Sequence, residues 1–168
     1  MPNPGVTTIN TDSLDYRIIE LLQKDGRMSS ADIARRLGDV SPRTIRYRID
    51  RLVDRGVISV SAVVNPRSVG YRVIADVWIE TVANRLSDVA ERVAELDEVS
   101  YVAYATGERN LSVQVYARSN EELHEFVNET IASIPGVTRV RTMVVPRTVK
   151  DVHQWHIPRA VTSKEESR

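Results

Sequence analysis

Arg43, Arg46 and Tyr47 fall within five residues of one another, directly after Ser41 and with Thr44 between them. A guanidinium is a planar fork of donors that matches a phosphate or the acceptor edge of guanine, and hydroxyls donate or accept as a base requires. Arg35 and Arg36 precede this group and Arg48 and Arg51 follow it. From Arg27 to Arg55 eight arginines stand against four aspartates, although the whole chain has 23 basic and 23 acidic residues and no net charge. Positive charge gathered into one stretch of a neutral chain is the footprint of a nucleic-acid-binding element.

The surrounding residues predict the helices that would present these side chains. Asp12 with Asp15 has capping-box spacing, and Leu14, Ile18, Leu21 and Leu22 recur at helical spacing until Gly26. Ser29 with Asp32 starts a second helix with Ile33, Ala34 and Leu37 on one side, ended by Gly38. Ser41 caps a third, Pro42 suits its first position, and Ile45, Ile49, Leu52 and Val53 form its apolar stripe before Gly56. Arg43, Tyr47, Asp50 and Arg51 then lie on the outer side, flanked by Arg46 and Arg48. Two helices joined by a short turn, the second cationic at its N-terminal half, form a helix-turn-helix for double-stranded DNA. Arg43, Arg46 and Tyr47 are expected at base edges, Ser41 and Thr44 at bases or phosphate, and Arg35, Arg36, Arg48 and Arg51 at phosphates.

Behind these helices the sequence repeats itself. Val89, Val93, Leu96 and Val99 recur 38 residues later as Val127, Ile131, Ile134 and Val137. The run Ala75–Glu80 lies over Val113–Arg118 at the same offset, apolar on apolar and Trp78 on Tyr116. A doubled strand–helix–strand follows, with strands at about 72–82, 99–106, 111–118 and 137–145 and helices at about 86–96 and 120–133. Such a βαββαβ unit makes an antiparallel ferredoxin-like sheet with both helices on one face. Its other face keeps Ile74, Trp78 and Tyr116. Large apolar groups on an open sheet predict a homodimer formed through it.

The expected fold class is therefore α+β. Residues 1–11 are a flexible N-terminus, 12–56 a three-helix, winged helix-turn-helix domain and 57–70 a hinge strand with linker, from the strand-like run Val57–Val64 before Asn65-Pro66. Residues 71–150 are the βαββαβ sensing and oligomerisation domain and 151–168 a tail. In the tail, Trp155 and Ile157 are expected against a neighbouring subunit and Thr162–Arg168 to be disordered. His153 and His156 lack a convergent third ligand, and the chain has no cysteine, so no metal site is expected. No cofactor-binding motif and no catalytic set stands out. Without a leader or a membrane-length apolar run, a cytoplasmic protein with no membrane partner is expected.

The ordered set of motifs resembles the Lrp/AsnC (feast/famine) family of transcription regulators over nearly everything from Thr11 to Lys150. Its carriers are Asp12 with Asp15-Tyr16-Arg17-Ile18-Ile19, Leu22-Gln23-Lys24-Asp25-Gly26-Arg27, Ile33-Ala34-Arg35-Arg36-Leu37-Gly38, Ser41 with Arg48-Ile49 and Leu52, and Gly56-Val57-Ile58. Asn65-Pro66, Gly70, Thr106-Gly107 and Ile134-Pro135-Gly136-Val137 complete them. The resemblance implies a DNA-binding regulator whose effector domain dimerises, often into octameric rings, and binds a small ligand, commonly an amino acid, between dimers near the turn joining the domain's second and third strands. That turn is Thr106-Gly107-Glu108-Arg109-Asn110 here. Members that bind amino acids usually carry an aspartate where this chain has Asn110 and often an aromatic where it has Arg109. An aspartate pairs with an ammonium group, whereas asparagine offers a neutral carbonyl and an amide donor. An altered or absent amino-acid response is expected, and hairpin-turn chemistry alone also explains these residue types. The turn Gly38-Asp39-Val40-Ser41 is one residue longer than the family's, with Val40 expected to plug the core.

Two other functions fit the same layout. An architectural DNA-wrapping protein would lack the effector response. A sirohaem-decarboxylase-like enzyme would need a Ser-His-Cys-Tyr type element and a Trp-Pro-Tyr-Asn segment, where this chain reads Val99-Ser100-Tyr101-Val102 and Gly107-Glu108-Arg109-Asn110-Leu111. The chain is therefore expected not to be an enzyme.

Overall fold

The computed structural model describes residues 11–107 and 110–158. The described residues divide into two compact units, 11–63 with 151–158 and 64–107 with 110–150. The expected flexibility of the first residues and the expected disorder of Thr162–Arg168 lie outside the described residues, apart from Thr11, which is buried.

The first unit is built on α1 (Ser13–Lys24), α2 (Ser30–Leu37) and α3 (Pro42–Asp54). Each starts where its sequence signal stands. The Asp12 carboxylate accepts from the Asp15 N–H at 3.0 Å while Asp15 accepts from the Asp12 N–H, a complete capping box. Ser29 and Ser41 accept from the N–H groups of Asp32 and Thr44, each at 3.1 Å. These bonds satisfy donors that have no partner inside their helices. Gly38 ends α2 at φ +82°, a conformation that costs a side chain energy. Ile18, Ile33, Ala34 and Ile45 form the core, with Leu14, Leu21, Met28, Leu37 and Ile49 packed on it. Val40 joins them, so the longer turn keeps its apolar plug.

One expectation for this unit is corrected. Residues 57–64 form no strand. A strand needs a neighbour to complete its ladder, and this chain supplies none there; the segment is anchored only at its start, where Val57 N–H donates to Leu52 C=O at 2.9 Å. The tail is joined to α1 of its own chain. Asp151 caps a 3₁₀ turn at Val152–Gln154, and the following Trp155 carbonyl accepts from Gln23 Nε2 of α1 at 3.2 Å.

The second unit follows the repeat. Its order is β1 (Val73–Thr81), α4 (Leu86–Ala94), β2 (Val99–Tyr104), β3 (Leu111–Ala117), α5 (Asn120–Glu125) and β4 (Val137–Val144). After Glu125 the helix widens into a π-helical stretch, Phe126–Ile131. The sheet is antiparallel in the order β2-β3-β1-β4. Positions 38 apart share the same environment: Val89 with Val127 and Val93 with Ile131 are buried, Leu96 with Ile134 half-buried. Ala75, Val77 and Ile79 of β1 and Leu111, Val113 and Val115 of β3 meet these helices. Burying each such valine, leucine or isoleucine contributes about 1.5–3 kcal/mol. The opposite face carries Ile74 beside Tyr116, Trp78 beside Arg141, and Met143 beside Asp76.

Candidate functional site

Within the first unit, the N-terminal two turns of α3 are open to solvent. Arg43, Thr44, Arg46 and Tyr47 are exposed, Tyr47 by 64%, and no acidic residue occupies the first helical turn. Ser41 and Thr44 are within 2.9 Å through their hydroxyls, which fixes the cap while leaving both residues at the surface. Orphan backbone donors and the positive end of the helix dipole favour phosphate at this end. Arg35 and Arg36 on α2 are exposed too, Arg35 in an i,i+3 pair with Asp32 at 2.9 Å. The Ser29 hydrogen bond, with help from Arg35, holds the Asp32 carboxyl below its ordinary range against desolvation.

Arg48 and Arg51 are placed differently from the sequence expectation. Both turn back onto α1. Arg48 donates to Asp15 Oδ1 at 3.0 Å and to Asp12, and Arg51 donates to Asp15 Oδ2 at 2.7 Å. Asp15 has no exposed surface, so this carboxylate is paid for by two guanidiniums and a backbone N–H. Desolvation pushes the Asp12 carboxyl up, but the Arg48 hydrogen bond and the Asp15 N–H together hold it below its ordinary value; the Asp12 and Asp15 carboxylates in turn raise Arg48 against its own desolvation. Outward placement on a helical wheel therefore misassigned both arginines, because the wheel of α3 does not contain its partner helix. The sequence marks Asp15 only as a capping residue; its one signal as the acceptor of both is the i,i+3 pair Arg48 and Arg51.

Arg17 of α1, named above only within a family motif, has a structural role here. Its Nη2 donates to the Leu37 carbonyl at 3.3 Å and its Nη1 lies 3.8 Å from Asp39. It ties α1 to the end of α2 and to the lengthened turn.

In the second unit the expected effector turn is described at Thr106, Gly107 and Asn110; Glu108 and Arg109 lie outside the described residues. Thr106 is exposed. Asn110 is fully engaged with the sheet: its N–H donates to Ile79 C=O at 3.1 Å, its C=O accepts from Ala105 N–H at 2.8 Å, and its side-chain oxygen accepts from Thr81 N–H at 2.9 Å. That last bond sits at the register shift between Glu80 and Thr81, where the β1–β4 ladder is irregular. The Asn110 carbonyl is thereby committed to the fold, and its amide NH₂ remains as a donor. Among the described residues no three metal-ligating side chains converge, and no helix is long and apolar enough to cross a membrane.

A capped helix pair whose second helix is cationic, followed by a βαββαβ unit, defines a DNA-binding regulator with an appended α+β domain. Residues 11–59 match the family model described as winged helix-turn-helix DNA-binding, and residues 74–155 match that of the Lrp/AsnC ligand binding domain. The HTH-type transcriptional regulator FL11 of Pyrococcus abyssi is 35% identical over 150 residues, covering 89% of this chain and 98% of the relative. E. coli AsnC superposes with a TM-score of 0.79 at 27% identity, over 86% of this chain and 99% of that one. A feast or famine regulatory protein from M. tuberculosis complexed with L-methionine gives 0.79 at 28% identity, over 88% and 99%. The chain belongs to the Lrp/AsnC family of transcriptional regulators, and it is a regulator, not an enzyme.

Proposed function

We propose that the chain is a homo-oligomeric, sequence-specific regulator that reads DNA with the first two turns of α3. Arg43, Arg46 and Tyr47 address base edges, Ser41 and Thr44 meet bases or phosphate, and Arg35 and Arg36 hold the backbone. The observation carrying this reading is the division of labour among the arginines: Arg43 and Arg46 are exposed without a carboxylate partner among the described ion pairs, whereas Arg48 and Arg51 are committed to Asp15. Two such helices, brought together by a dimer through the open sheet face, address half-sites of a pseudo-palindrome. Higher assembly of dimers, up to an octamer, and a cytoplasmic location accompany this reading.

The turn Thr106–Asn110 is the proposed effector site, with an amino-acid response altered or lost relative to relatives such as the methionine-complexed one. What supports this is Asn110, whose carbonyl is already used by Thr81 and whose remaining amide donor repels rather than attracts an ammonium group. Footprinting the DNA upstream of its own coding region, with and without each amino acid, tests both halves. Protection of a pseudo-palindrome, unchanged by the common amino acids, is expected. Uniform protection without sequence preference would favour the wrapping function instead.

A further inference from the structure

The first unit is assembled from both ends of the chain, and its C-terminal piece is held on the back of α1. Residues 151–157 leave the sheet unit after β4, form the capped 3₁₀ turn, and lay Trp155 and Ile157 against a cleft. Tyr16, Ile19, Val57 and Val60 line the same cleft. By sequence most of this segment belongs to the ligand-binding domain, whose family match runs to residue 155. By packing it belongs to the DNA-binding unit.

Its attachment is light. Among the described residues one hydrogen bond, Gln23 Nε2 to the Trp155 carbonyl, joins the two pieces, Trp155 remains 58% exposed, and the cleft beneath measures about 640 Å³. Protein interiors close such spaces, so the segment is laid over the surface and is not part of the core. A segment so held opens at low free energy. Only residues 145–150 separate it from the end of β4, so redocking is an intramolecular event at high effective concentration.

We propose that residues 151–157 are a releasable strap on the DNA-binding unit, a second covalent route besides the 57–72 linker by which the state of the sheet unit reaches α1. The coupling rests on the regulator reading above; the docking does not. A strap pulled by a displaced β4 loosens α1, and α1 holds α3 through Asp15.

The chain has no cysteine, so the full-length variant Q23C/W155C carries only two thiols. A short bismaleimide is expected to join them within one chain, giving a product of monomer mass with both thiols consumed. Linked chain pairs, or two singly modified thiols, would overturn docking in cis. In a chain ending at Lys150, and independently in full-length Gln23→Ala, amide exchange of residues 16–23 is expected to accelerate, by about tenfold in the truncated form, with β1 and β3 protection unchanged. Unchanged exchange in α1 would overturn the strap. Finally, the cross-linked protein is expected to differ at least about threefold in affinity for its operator from the same variant blocked with a monofunctional maleimide. Equal affinity would overturn the coupling. The first two readouts need no DNA, so a failed strap is distinguishable from a protein that binds no operator.

Discussion

Asp15 is where the chemistry of single residues decides most. It is a carboxylate without exposed surface, facing Arg48 and Arg51 from 33 and 36 residues away. Asp15→Ala leaves two half-buried guanidiniums without their acceptor, and we expect the DNA-binding unit to lose about 3–5 kcal/mol in urea unfolding followed by α1 and α3 amide signals. A loss under about 1 kcal/mol would show the network to be solvated. Asp12 adds a pH dependence. Its folded value lies below the ordinary 3.8, so its contribution is fully present above that value and fades as pH falls through the lowered one. The stability difference between the wild type and Asp12→Asn should therefore stay level above about pH 5 and shrink below the ordinary carboxylate value. Asn110→Asp keeps an oxygen for the Thr81 N–H while adding charge at the turn. Calorimetry against the amino acids should show binding gained or tightened in that variant; no change would remove the ammonium argument. The sequence named Asn110 as unusual, but not its bond to Thr81, because a bond across 29 residues at a bulge has no local signature.

Among the elements, α3 carries the sharpest expectations. Arg43→Ala or Arg46→Ala should cost about 1–3 kcal/mol on the operator and little on random DNA, whereas Arg35→Ala should weaken both and lower the salt slope by about one. Arg48→Ala should leave that slope unchanged while lowering stability, the reverse of what an outward-facing arginine would do. Competition binding over a salt series reads all of these. In the sheet unit, Gly136 has φ +107°, and a Cβ there would stand 2.7 Å from Arg85 Cβ. Gly136→Ala should therefore destabilise that unit by more than about 1 kcal/mol in thermal unfolding. Caps, glycine stops and the 38-residue repeat were legible because they are local or periodic. The hinge strand was misread for the complementary reason: Val57–Val64 has strand composition, but composition does not provide a second strand to pair with.

For the whole molecule, the open sheet face sets the expected assembly. Ile74 and Tyr116 are opposite one another in the register, and Tyr101 and Met143 are more than half exposed on the same face. Ile74→Glu should shift the protein from dimer or larger to monomer by light scattering at micromolar concentration and weaken operator binding more than half-site binding. An unchanged mass would place the interface elsewhere. The two-domain layout was expected from the helix caps and the 38-residue repeat, and the face from the apolar residues left opposite the helices; the return of the tail to the first unit was not, because Trp155 and Ile157 fit any apolar surface offered to them. That return sets the sheet unit inside a host made of the described segments before and after it, 11–63 and 151–158. The sheet unit is topologically an insert. It is the natural cassette to exchange for a different module, because the chain enters and leaves it from the same DNA-binding unit.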